Sequence, residues 1–144
     1  MAVGSALGIL MPNYWFLVII GIISHFFLDN IPHWQEEMDS NYVPTKKTFI
    51  RILIDVPLGL LFVWWVVTLF PEYTSFIIFG TFIQFLPDFI DLLRYLPKRF
   101  NGFILWYIKW HDSIQNEPRG VFGIITQLFT ILLAAVVVIG NSGL

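Results

Sequence analysis

Apolar positions dominate the chain, and short polar segments cut them into stretches of very different length. Residues 1–10 are apolar and rich in small side chains, too short to cross a bilayer alone. Met11-Pro12-Asn13 breaks the run, and Tyr14 to Leu28 is apolar again, about 22 Å of helix. Together they predict a half-helix, a turn and a returning helix, a hairpin whose arms pack through Gly4, Ser5, Ala6 and Gly8; one long kinked span is the alternative. Residues 34–48 form the most polar loop. Ile52 to Phe70 predicts a first full span, with Asp55 and Pro57 near its start, and Pro71-Glu72-Tyr73-Thr74 a turn. Ser75 to Tyr95 predicts a second span, carrying Gln84, Asp88, Asp91 and Arg94. Phe103 to Trp110, inside a basic and aromatic stretch, is too short to cross and suits an interfacial helix. Val121 to Ile139 predicts the last span, and Asn141 to Leu144 a short tail.

Composition turns this pattern into a class. The 144 residues are 57% hydrophobic and only 12% charged, with a mean hydropathy of +0.75. Water-soluble domains carry about 25% charge. The expected fold is therefore an all-α integral membrane helical bundle in a single domain, 1–144. It has about three full transmembrane helices plus an N-terminal hairpin or short span and an interfacial helix. A net charge of −2 leaves no nucleic-acid footprint. Cysteine is absent, which excludes disulfides and thiolate ligands. No basic segment precedes the first apolar run, so that run reads as structure and not as a cleaved address.

Charge also orients the spans. With one membrane side defined as that reached after Leu28, Lys46, Lys47, Arg51, Arg94, Lys98, Arg99, Lys109 and Arg119 all fall on it; they are every Lys and Arg in the chain. The other side keeps Glu72. The positive-inside rule makes the basic side cytoplasmic. Trp34, Tyr95, Trp106, Tyr107 and Trp110 form an aromatic belt there.

The same topology gathers the polar residues at that side. His25 and Asp29, four apart, share a helix face. Pro32 ends that helix and leaves His33 at the boundary. Asp55 begins the next span, Asp88 and Asp91 end the third stretch, and His111 lies in the interfacial segment. Gln84, Asp88 and Asp91 share one stripe, and Pro87 loosens the helix between them. Ionisable residues at membrane depth are costly unless paired, so they default to function. His25, Asp29, His33, Asp88 and His111 are the candidate metal ligands, with Asp91 or Asp55 as neighbouring carboxylate or general base. A mixed N/O set suits a divalent metal, Zn foremost, then Mn or Fe, over Ca or Mg. Each residue also has a structural explanation. His25 can be a core histidine, His33 and His111 interfacial residues, and Asp55 and Asp91 partners of Arg51 or Arg94.

Several segments carry a resemblance. Ala-Val-Gly-Ser-Ala-Leu-Gly at the start, Ile-Ser-His-Phe-Phe-Leu-Asp-Asn-Ile-Pro-His-Trp at 23–34, Phe-Leu-Pro-Asp at 85–88 and Trp-His-Asp-Ser-Ile-Gln at 110–115 are the first four. With Gly-Ile-Ile-Thr-Gln at 123–127 they resemble small bacterial membrane proteins related to the predicted membrane-bound metal-dependent hydrolases. The likeness spans nearly the whole chain. It implies a metal site at His25, Asp29, Asp88 and His111 and a hydrolase activity. One departure stands at the start, where that group has a His directly before Ala-Val-Gly-Ser and this chain has Met1.

The expectation is thus metal-assisted hydrolysis of a lipid-like substrate, a phosphoester among the candidates, at the cytoplasmic face of a bacterial inner membrane. Arg94, Lys98 and Arg99 would attract an anionic head group. The alternative is a non-enzymatic membrane subunit in an oligomer or larger complex, its polar cluster a structural ion-pair network. Ion transport is a weaker third, because only Gln84 and Gln127 point toward the far side.

Overall fold

A computed structural model describes residues 1–32, 46–91, 93, 102–114 and 121–143, with the backbone alone at 46–49 and 51. Six α-helices make up the described chain: α1 (Ala2–Leu10), α2 (Tyr14–Asp29), α3 (Lys46–Leu69), α4 (Thr74–Asp91), α5 (Gly102–Ile114) and α6 (Val121–Ser142). A 3-10 turn, Pro71–Tyr73, joins α3 to α4. No strand occurs among the described residues. Three helices are long and apolar enough to cross a membrane, over Ile52–Leu69, Pro71–Asp91 and Val121–Ser142. The all-α bundle expected from the hydropathy pattern is therefore present, and α2 is the shorter apolar helix of the N-terminal hairpin.

The turn between α1 and α2 follows from Asn13. Its extended backbone ends the break, and its side-chain oxygen accepts from the N–H groups of Trp15 (3.0 Å) and Phe16 (3.3 Å), capping α2. The small face of α1 does not serve the hairpin as expected, however. Gly4, Ser5, Ala6 and Gly8 are buried, and the two glycines lie against the backbone of α4. A Cβ on Gly4 would sit 2.6 Å from the Gly80 carbonyl oxygen, and one on Gly8 would sit 2.5 Å from the Ile77 Cα. Gly80 returns the same fit toward Gly4. Backbones this close require hydrogens in place of side chains, the usual device for joining helices in lipid.

That approach puts the nine-residue α1 inside the bundle, touching α2, α3, α4 and α6. The main core gathers round it: Ala6, Val63, Val66, Phe70, Ile77, Ala134 and Val138. The outward faces of α3 and α6 are apolar and exposed, as lipid-facing surfaces must be; Trp64 is 66% exposed on α3.

Two boundaries differ from expectation. Asn141 and Ser142 form the last residues of α6 and not a tail, because each side chain returns a hydrogen bond to the preceding turn, Asn141 to the Val137 carbonyl and Ser142 to the Ile139 carbonyl, both 2.8 Å. Helix α5 is longer than Phe103–Trp110, extending to Ile114 and so including His111.

Candidate metal centre

The site is built where helix ends meet. His25 and Asp29 lie one turn apart on α2, with His25 Nε2 3.2 Å from Asp29 Oδ2. Asp29 is the last residue of α2. Asp91, in turn, is the last residue of α4, with Asp88 one turn before it. His111 stands in the last turn of α5. Helix C-termini carry about half a negative charge each. Two carboxylates at two such ends, facing an imidazole near a third, favour positive charge between them.

His111 is the hub. It is fully buried, and Asp91 Oδ2 lies 2.9 Å from its Nδ1. Its Nε2 lies 2.8 Å from Asp29 Oδ2 and 3.4 Å from the Nε2 of His25. Burial alone would disfavour the imidazolium, but the bonds to Asp29 and Asp91 prevail and push its pKa up to about 9. The remaining carboxylate, Asp88, lies with Oδ1 3.7 Å from His25 Nε2, and its side chain is 49% exposed. His25 itself is 5% exposed.

His25, Asp88 and His111 thus form a group that could hold a metal ion. The distances can be compared with a coordination sphere. Metal–nitrogen bonds of 2.0–2.1 Å in a tetrahedron set neighbouring donor atoms about 3.3 Å apart. The two Nε2 atoms, at 3.4 Å, already have that spacing, and carboxylate oxygens of Asp29 and Asp88 stand 3.2 and 3.7 Å from His25 Nε2, while Asp29 Oδ2 lies closer to His111, at 2.8 Å. The Nδ1 contact to Asp91 leaves Nε2 of His111 turned inward, which is how a carboxylate orients a metal-bound histidine. The donor set of His25, Asp88 and His111 could hold a divalent metal.

Of the predicted ligands, the structure brings together His25, Asp29, Asp88 and His111, with Asp91 behind His111. His33 lies outside the described residues, as do Trp34, Gln115 and the side chains of Arg51, Arg94, Lys98 and Arg99. Asp55 is exposed on α3 and does not line the cavity beside the site. Two contributors were not among the predicted site residues. Tyr107, four residues before His111, stacks on its ring (centroids 5.6 Å) and donates its O–H to the Pro87 carbonyl at 3.3 Å. That bond fastens α5 to α4 at the proline. Gln84 is the other: buried one turn before Asp88, it accepts the Gly4 N–H and so hooks α1 to the site helix. The i, i+4 spacing to His111 was the available signal for Tyr107; the hook to Gly4 left none.

A cavity of about 190 Å³ adjoins the cluster, with His25, Asp29, Gln84 and Asp88 on its polar side and Leu28, Phe85 and Ile131 on its apolar side. Thr126 on α6 closes the neighbourhood by donating to the Pro32 carbonyl at the end of the α2 segment.

No family model matches the chain, and no curated protein or solved structure matches it either.

Proposed function

We propose that this chain is a membrane-bound, metal-dependent hydrolase acting on a lipid-like substrate, a phosphoester being the form its donor set suits best. The observation that carries the reading is the pair of facing imidazole nitrogens, 3.4 Å apart, with Asp91 fixing the far side of one ring. His25 and His111 would hold zinc, the foremost metal for this set, with Asp29 and Asp88 as carboxylate ligands. Bound there, the cation supplies a Lewis acid that polarises an ester or phosphoryl oxygen and acidifies water. Asp91 acts through His111 as a positioning residue. Asp88, its side chain half exposed, is the most exposed of these ligands and lines the cavity. No step is assigned to Asp55. The basic loops belong at the cytoplasmic face of a bacterial inner membrane on the positive-inside rule.

One observation favours a second reading, a structural cluster in a non-enzymatic membrane subunit. Asp29 Oδ2 already bridges both imidazoles, at 3.2 and 2.8 Å, so a proton on His111 completes the network without metal. Elemental analysis of protein purified without chelator separates the two. One equivalent of metal, lost in His25→Ala/His111→Ala, is the expected result. A folded wild type without stoichiometric metal would overturn the hydrolase reading in favour of the structural one.

A further inference from the structure

The geometry points to Gln84 as the group that receives the substrate's polar head, by donating to an oxygen of a slim amphiphile whose first methylenes lie along Phe85 and Ile131. This rests on the hydrolase reading above and specifies the substrate class.

The orientation of the Gln84 amide is fixed by its partners. The Gly4 N–H can only donate, so the atom facing it is Oε1. Nε2 therefore lies on the other branch, where one N–H faces Ser24 Oγ at 3.4 Å. The Ser24 hydroxyl passes the chain on, donating to the Gly21 carbonyl at 2.9 Å. The second Nε2 N–H has no protein partner among the described residues, although the side chain is only 4% exposed and lines the cavity. Buried donors without an acceptor are rare and costly. The other polar residues of the cavity wall are Thr130, whose hydroxyl already donates to the Thr126 carbonyl, and the carboxylates and imidazole of the metal cluster, with Met1 also on the wall. A spare amide donor beside the cluster complements an oxygen drawn to the metal, as donors that stabilise developing charge do elsewhere.

Size and lining limit what brings that oxygen. A cavity of about 150 Å³ takes up benzene. The present one, about 190 Å³, has room for a phosphate or ester with a few carbons. Its apolar wall continues outward, since Ile131 is 46% exposed on α6. A chain attached to the bound head therefore leaves over Phe85 and Ile131 into lipid. Both an anionic phosphoester and an uncharged ester offer the required acceptor oxygen.

The test uses the full chain in nanodiscs, loaded with zinc, its zinc content measured on every sample. Calorimetry follows binding of inorganic phosphate, of methyl, ethyl and butyl phosphate, and of ethyl butyrate as the uncharged arm. Each added methylene should tighten phosphate binding about fourfold, and Ile131→Ala, on an exposed position, should flatten that series. Gln84→Glu keeps an acceptor for Gly4 but removes the donor. It should weaken butyl phosphate at least tenfold and ethyl butyrate about two- to tenfold, with zinc content unchanged. The loss for the uncharged ester is the deciding arm, because added negative charge does not repel it. Unchanged ester and phosphate affinity in Gln84→Glu, or a flat methylene series in the wild type, overturns the inference while leaving the metal reading intact. Failure of the wild type to bind zinc overturns the hydrolase reading and this inference with it.

Discussion

Replacing Gly8 by Ala tests the packing on which the site depends. The added Cβ would stand 2.5 Å from the Ile77 Cα and 2.7 Å from its N, both backbone atoms that cannot rotate aside. Ordinary contact begins at 3.4 Å, so α1 must move away from α4 by 3.4 − 2.5 = 0.9 Å. Overpacking of this kind costs about 1–3 kcal/mol. The retreat also stretches the bond from the Gly4 N–H to Gln84, and a buried amide oxygen left unmade adds about 1–3 kcal/mol. The expected destabilisation is roughly 2–6 kcal/mol, a large part of a typical folding free energy. The assay is reversible unfolding in mixed micelles by added SDS, read by tryptophan fluorescence. Gly140→Ala is the internal control, since a Cβ there meets nothing within 4 Å and a helical Ala gains up to about 1 kcal/mol over Gly. Wild-type stability in Gly8→Ala would refute the claim that α1 and α4 are in backbone contact.

The remaining predictions concern the site. Asp91→Asn should weaken zinc binding about 10- to 100-fold by loosening the orientation of His111, measured by competition with a chromophoric chelator; unchanged affinity would remove Asp91 from its positioning role. The raised pKa of His111 gives the sign of the pH effect. Below about 9 the ring carries a proton that a cation must displace, so zinc affinity should fall about tenfold for each pH unit lowered from 9 toward 7; a flat profile would contradict it. Tyr107→Phe removes the bond to the Pro87 carbonyl and should cost about 0.5–1.5 kcal/mol in the same unfolding assay, with zinc content unchanged.

The spans and the hairpin were legible because a run such as Val121–Ile139 states its own length and apolarity. Which helix packs on which was not. In a chain that is apolar nearly all round, the stripe of Gly4 and Gly8 announces a close contact but not its partner, and α4 took the place expected for α2. The site was legible in part for the same reason. The i, i+4 spacing of His25 and Asp29 is local and survived intact. The pairing of Asp91 with His111 depends on how α5 returns to α4, which no local spacing encodes. Arg94, a natural alternative partner for Asp91 from sequence, lies outside the described residues, while His111 is at 2.9 Å.

The order of the chain has a consequence for biosynthesis. His111 meets Asp29 across 82 positions of sequence. At ribosomal rates of 5–20 residues per second, that interval is about 4–16 s. During it α2 lacks the helix that completes its polar end. The spacing of His25 and Asp29 supplies an interim solution, because the two side chains reach each other within a single turn, 3.2 Å apart. The nascent chain thus carries a matched pair in place of a lone carboxylate, which is costly to bury. Half of the centre is nascent-chain chaperone to the other half until the fifth helix emerges.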